Sequence, residues 1–170
     1  NQVWKTQNLD VETFKNGDVI PEAQSKEEWV RVGENSEPAW CYYDNNQKNG
    51  IKYGKLYNWY ALSKISNSNK NVCPTGWHVP TDAEWTVLID YLGGESIAGG
   101  KMKEVGTTSW NSPNTDATNT SLFSALPGGT RSYNGNYLYV GSDGNWWSSS
   151  EYNEDLAKGL ELNPIQVKVH

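Results

Sequence analysis

Cysteine, histidine, phenylalanine and methionine are all scarce in this chain, and the shortage of the first two limits metal and nucleophile chemistry. There are two cysteines, two histidines, two phenylalanines and one methionine in 170 residues. Two thiols, Cys41 and Cys73, fall short of a tetrahedral zinc site unless histidine joins them. The histidines are His78 and His170, and the nearby pair Cys73 and His78 is fenced by Pro74 and Pro80, so no metal centre is expected. A disulfide across a loop of about thirty residues suits an oxidising compartment, yet buried free thiols pack equally well as small hydrophobes. Both readings of Cys41 and Cys73 stand. Basic runs are missing too. The net charge is -6 and the isoelectric point lies near 4.9, which excludes the electrostatic footprint of a nucleic-acid binder and attraction to anionic membranes. No stretch approaches the roughly 18 apolar residues of a bilayer span, so no transmembrane segment is expected. The chain shows no signal segment and opens at Asn1 without methionine, so it reads as a mature or trimmed fragment.

What the chain does have is tryptophan and tyrosine. Nine Trp and ten Tyr stand against a hydrophobic share of 36% and a mean hydropathy of -0.76. Disordered chains are poor in aromatics, so a folded core is expected, built on Trp and Tyr rather than on Leu and Ile. The length fits one domain.

Local signals mark the elements. Val3-Trp4 opens a strand-like segment and Lys15-Asn16-Gly17-Asp18 is a turn. Ser25 and Glu28 form a capping box, predicting a short helix that ends near Gly33. Ala39 to Tyr43 reads as an aromatic strand and Asp44 to Gly50 as a polar loop. Leu56, Trp59, Tyr60 and Ser63 fall on one helical face, and Ser66 to Asn71 is a Ser/Asn loop. A second capping box, Thr81 with Glu84, opens a helix over 82–92 carrying the stripe Trp85, Leu88, Ile89 and Leu92 and stopped by Gly93-Gly94. Beyond Gly100 the chain is rich in Gly, Ser, Asn and Thr. Strand-like runs appear there at Leu122–Leu126, Tyr137–Val140, Trp146–Ser150 and Ile165–Val169, with turn residues between them. Two central helices among short strands and long loops predict a mixed α+β fold with a small twisted sheet. Trp59, Trp77 and Trp85 are expected in the core.

The motifs in order resemble a known family. Cys41-Tyr42-Tyr43-Asp44-Asn45 is followed by Tyr53-Gly54-Lys55-Leu56-Tyr57-Asn58-Trp59-Tyr60-Ala61. Next come Cys73-Pro74-Thr75-Gly76-Trp77-His78-Val79-Pro80-Thr81-Asp82-Ala83-Glu84-Trp85 and Ala98-Gly99-Gly100-Lys101-Met102-Lys103. Phe123-Ser124-Ala125-Leu126-Pro127-Gly128-Gly129-Thr130-Arg131 and Trp146-Trp147-Ser148-Ser149-Ser150-Glu151 complete the series. The whole resembles the Fibrobacter succinogenes major paralogous domain family over nearly the full chain. Through Gly76 to Trp85 that family is similar, at greater distance, to the formylglycine-generating type of C-type-lectin fold. The resemblance implies a single C-type-lectin-like domain over residues 1–170, of class α+β, with two helices, a small twisted antiparallel sheet and long loops. It implies an extracytoplasmic setting, secreted or anchored at the cell surface, and no established activity. Family members usually close with an Arg-Cys-Val strand. This chain has none, so a missing final strand is expected, and with it another partner for either cysteine.

Catalysis is not expected. The oxidase chemistry of formylglycine-generating enzymes needs two late cysteines holding a soft metal ion, and residues 104–170 have no cysteine. Ser148, Ser149, Ser150 and Glu151 offer hydroxyls and a carboxylate, but a serine nucleophile wants a histidine base. His78 is the one interior candidate and is expected to be structural. Alternation of Trp146 and Trp147 across a strand, the serines following in the pleat, is the preferred reading. The pairs Glu27-Glu28 and Glu154-Asp155 read as solvated surface. No cofactor is expected. Asp44-Asn45-Asn46 and Asp143-Gly144-Asn145 supply oxygen ligands of the kind calcium takes, although Asx turns account for both.

Recognition remains. Aromatic rings with amide and hydroxyl groups suit a surface carbohydrate or a polar protein partner. They concentrate in the second half, and the candidate ligand-binding residues are Arg131, Tyr133, Asn134, Asn136, Tyr137, Trp146, Trp147 and Tyr152. Exposure is expected for Arg131, Tyr133 and Asn136, and for one of Trp146 and Trp147. A structural or display domain without a discrete ligand is the alternative.

Overall fold

The structure is a computed structural model and describes residues 1–64, 67–153, 156–164 and 167–169. The chain divides into two compact units. One gathers residues 1–8, 80–130 and 139–170, the other residues 9–79 and 131–138. Four helices and small antiparallel sheets of two, two and three strands are present among the described residues, a mixed α and β architecture. The expectation of two helices is corrected to four.

In the unit of 9–79 and 131–138, the Lys15–Asp18 turn is closed by Phe14 N donating to Asp18 O at 2.8 Å, and Gly17 there takes a φ of 92°. Helix α1 (Lys26–Glu34) starts at the expected box. Ser25 Oγ accepts from Glu28 N at 3.0 Å, and Ser25 N donates to the Glu28 carboxylate at 2.9 Å. Its Trp29 and Val32 turn inward. Strands β1 (Trp40–Cys41) and β2 (Leu56–Tyr57) pair antiparallel, Trp40 opposite Tyr57.

Two expectations fail between and after these strands. The polar stretch after Asp44 is a tight helical turn over Tyr43–Asn45 followed by α2 (Gln47–Tyr53), not a loop. Asn46 caps α2 by accepting from Lys48 N at 3.0 Å, and Gly50 gives the Tyr42 ring room that a Cβ would take. The stretch Leu56 to Ser63 is not one helix but β2 and a single turn over Trp59–Ala61. Asn58 is the reason. Its side chain accepts from Ala39 N (2.9 Å) and Ala61 N (3.2 Å) and donates to Glu37 O (2.8 Å), which fixes a turn where helical periodicity alone suggests continuation. Two clusters form the core here, one around Phe14, Ile20, Trp40, Tyr57 and Leu62, the other around Ala23, Trp29, Val32, Ala39 and Cys41. Trp59 is half-buried, whereas Trp77 is 36% exposed and is no core residue. The Gly76 turn at φ 88° lies beside it.

In the unit of 1–8, 80–130 and 139–170, Thr81 and Glu84 form the second box and open α3 (Asp82–Tyr91). Trp85, Leu88 and Ile89 are buried as the stripe requires. Helix α4 (Glu95–Met102) is a helix that the glycines hide. Gly99 and Gly100 weaken its intrinsic propensity, but Ala98, Gly99 and Met102 are buried, and Gly100 lets the Asp116 carbonyl come close. The run Leu122–Leu126 is a loop rather than a strand. Leu122 and Ser124 sit at φ 61° and 57°, and only Ala125 bridges to Lys103. Strands β3 (Thr130–Arg131) and β4 (Tyr137–Leu138) pair as a hairpin that carries the chain into and out of the other unit. Strands β5 (Gly144–Asn153), β6 (Leu156–Leu162) and β7 (Val167–Val169) form a sheet in the order β5-β6-β7, with Trp146 opposite Leu160. Its core joins Trp85, Ile89, Met102, Trp110, Leu160 and Leu162, with Trp4, Phe123 and Trp146 packed against it. Of the other expected features, Ser66, Glu154, Asp155, Ile165, Gln166 and His170 lie outside the described residues.

Candidate functional site

The hairpin residues 131–138 put five of the eight predicted site residues on one small element. Its base is built on Arg131, and here the expectation of exposure is overturned: Arg131 is 7% exposed. The guanidinium lies over the rings of Trp29 and Tyr137, 4.8 Å and 4.6 Å from their centres. It donates to Ala23 O at 2.7 Å, Ser25 O at 2.8 Å and Gly135 O at 3.3 Å. A buried cation survives only when its donors are met. The planar fork of arginine meets three carbonyls while stacking on two rings. Arg131 therefore anchors the hairpin from within.

Tyr137 belongs to the same cage. Its ring lies 5.1 Å from that of Tyr43, and its hydroxyl donates to Asn45 Oδ1 at 2.7 Å. Burial pushes its pKa up, and the Cys41 thiol beside it adds to this. Cys41 is raised in turn by burial, an effect that Arg131 and Tyr137 partly offset. Cys41 and Cys73 are both buried and form no disulfide, and they lie in separate clusters.

The tip is open. Tyr133 is 90% exposed, and Asn134 and Asn136 are exposed on either side of Gly135. They are held, not loose. Ser132 N donates to Asn136 O at 2.9 Å, and Asn134 Oδ1 accepts from Ser132 Oγ at 2.5 Å and from Asn136 N at 3.2 Å. Lys26 reaches Asn136 Oδ1 at 3.0 Å, and Gly135, at φ 81°, leaves the space its Cβ would deny to Lys26. An exposed phenol and two amides thus stand on a fixed base.

The remaining predicted residues belong to β5, in the other unit. Trp147 is 38% exposed. Trp146 is half-buried, donates to Asn8 Oδ1 at 2.9 Å and stacks edge-on with Phe123 at 5.8 Å. One tryptophan faces out and its neighbour in, as strand alternation requires. The side chain of Tyr152 lies outside the described residues.

The hydroxyls of Ser148 and Ser150 engage the backbone. Ser148 is fully buried and accepts from Ser150 N at 3.0 Å, while Ser150 Oγ accepts from Asp82 N at 3.0 Å at the start of α3. His78 is exposed. Of the two loop clusters with calcium-type oxygens, the first is engaged internally. Asn45 donates to Gln24 O and accepts from Tyr137, and Asn46 caps α2. In the second, burial and the nearby Glu161 raise the Asp143 pKa. Among the described residues no group of three or more His, Cys, Asp or Glu is placed to hold a metal ion.

Sequence reasoning misses two buried lysines. Lys55, 8% exposed, bonds Asp10, lies 3.5 Å from Glu12 and 3.3 Å from the Tyr42 hydroxyl, and sits over the Trp40 ring at 4.5 Å. Lys103, 1% exposed, donates to Thr115 O (3.0 Å) and Pro164 O (2.9 Å) and lies over Trp110 at 5.6 Å. The available signal is lysine inside an aromatic run, as in Tyr53-Gly54-Lys55-Leu56-Tyr57.

The sequence profile of the Fibrobacter succinogenes major domain matches residues 1–169. No curated protein and no solved structure matches the chain. The chain belongs to the Fibrobacter succinogenes major domain family.

Proposed function

We propose that this domain is a non-catalytic recognition module, exported from the cytoplasm, that binds a surface carbohydrate or protein through loops of its second half. The observation that carries this reading is the 131–138 hairpin, where an exposed Tyr133 with Asn134 and Asn136 stands on the buried Arg131 peg. A ring with few rotatable bonds, flanked by amides and fixed at its base, loses little entropy on binding. A non-catalytic role is supported by the committed hydroxyls of Ser148 and Ser150 and by the burial of both thiols. The small antiparallel sheets, long loops and paired capping-box helices fit a C-type-lectin-like fold of the formylglycine-generating type.

A glycan and polysaccharide array, probed with the isolated chain in calcium and in chelator, tests the proposal. Saturable binding that Tyr133→Ala removes supports it. Equal retention of every glycan by Tyr133→Ala contradicts the placement. Silence on glycan arrays and on a matching surface-protein array favours a display role.

A further inference from the structure

In the unit of 1–8, 80–130 and 139–170 an open recess of ≈ 700 Å³ is lined by Asn111, Pro113, Ser142, Asp143, Asn163 and Pro164. Its walls are fixed from behind. Asn111 N donates to Gly141 O at 2.7 Å and its amide to Ser142 Oγ at 3.1 Å. The Asp143 backbone is held on both sides, by Tyr139 O at 2.9 Å and by Gly129 N at 2.8 Å. Opposite, the buried Lys103 ammonium grips Pro164 O at 2.9 Å and Asn163 O at 3.4 Å, and Thr115 N adds a bond to Pro164 O at 3.1 Å. A lysine with 1% exposure is an expensive way to hold a loop unless the loop position matters.

The chemistry of the lining is specific. The Asp143 carboxylate takes no hydrogen bond or ion pair from a described residue, and it is partly withdrawn from water beside the like charge of Glu161. Such a group gains from donors, and its own negative charge repels an anionic ligand. Asn111 and Ser142 offer donors and acceptors, and Pro113 and Pro164 offer C–H faces.

We propose that this recess binds a neutral polyhydroxylated ligand, a saccharide residue, with Asp143 accepting from its hydroxyls and Asn111 and Ser142 completing the contacts. The site is separate from the hairpin and does not rest on its role.

Amide proton–nitrogen correlation spectra in chelator test this, using the methyl glycosides of glucose, galactose, mannose and N-acetylglucosamine as probes. The expected result is saturable shifts at the amides of 111–112, 141–144 and 163 with at least one probe. Asp143→Asn weakens that binding by about tenfold or more, the scale of a hydrogen bond to a charged acceptor. Tyr133→Ala leaves it unchanged. Asn111→Ala serves as a second variant, and the dispersion of each spectrum reports folding. The proposal is overturned by the absence of saturable shifts at these amides with all four probes. It is also overturned by unchanged affinity in Asp143→Asn and Asn111→Ala, or by shifts that appear only when calcium is restored. Shifts confined to 131–138 overturn the recess and support the hairpin.

Discussion

The guanidinium of Arg131 lies 4.6 Å from the centre of the Tyr137 ring, stacked across the hairpin that both residues belong to. The cation is buried and the ring hydroxyl is tied to Asn45, so the two base residues are held within the unit while Tyr133 at the tip faces solvent. Arg131→Lys removes the planar fork and takes the donor from the Ala23 carbonyl, while Ser25 O keeps its bond from Trp29 N, a loss of about 1–3 kcal/mol. Tyr133→Ala changes stability by less than about 0.5 kcal/mol, as exposed substitutions do. Urea unfolding of both variants reads the contrast.

Alkaline pH is expected to unfold the chain through groups of the same unit. Burial raises the Tyr57 and Tyr137 pKa values. For Lys55 burial acts downward, but its bonds to Asp10 and Tyr42 outweigh it and the pKa ends raised. A folded-state pKa above the unfolded value means the native state holds its proton longer. The contribution is therefore complete below the ordinary values of 10.0 for tyrosine and 10.5 for lysine and is lost as pH rises through the folded ones. Cys41 is raised by burial in the same way. Lys103 is lowered by burial and acts in the opposite sense, but it is one group against four. Melting temperature measured against pH falls above the ordinary cysteine value of 9.0 and further above the tyrosine value of 10.0.

Acid pH acts on Asp143 with the reverse consequence of a paired carboxylate. Its pKa is raised by burial, then by Glu161, so its ionised form destabilises the fold at neutral pH. Asp143→Asn is expected to raise the melting temperature at neutral pH. The gain shrinks as pH falls toward the ordinary value of 3.8, where the unfolded carboxyl is also protonated. Paired thermal scans of wild type and variant across that range check the sign.

The capping box at Thr81 is the strongest local signal in the chain, and its removal has a defined cost. Thr81 Oγ1 accepts from Glu84 N at 3.2 Å, and the Glu84 carboxylate accepts from Thr81 N at 2.8 Å. Thr81→Ala is expected to lose about 1 kcal/mol, whereas Thr81→Ser retains most of it. Equilibrium unfolding of the two distinguishes the cap from mere packing.

Capping boxes were legible because their signal is local: both α1 and α3 start where Ser25 and Thr81 place them. The aromatic core was legible in kind, since Trp29, Trp40, Trp85 and Trp110 are all buried. Elements set by long-range contacts were not. Helix α4 contains glycines that its buried face tolerates, and Asn58 converts a helical pattern into a turn through partners near Ala39. At the candidate site, Tyr133 and Asn136 are exposed as a hairpin tip predicts. Arg131 looked equally available because a charge in a turn-rich segment reads as surface, and nothing in the sequence reveals the rings of Trp29 and Tyr137 that cover it. Lys55 and Lys103 were hidden for the same reason.

The most direct test of the account is binding of an array-selected glycan or surface protein to the wild-type domain and to a Tyr133→Ala, Asn136→Ala double variant, each with its melting temperature. The account predicts that the double variant loses about tenfold or more in affinity, the scale of removing an aromatic anchor, while its melting temperature stays at the wild-type value. Undiminished affinity in a stably folded double variant contradicts it, because the exposed tip of the hairpin then carries no recognition.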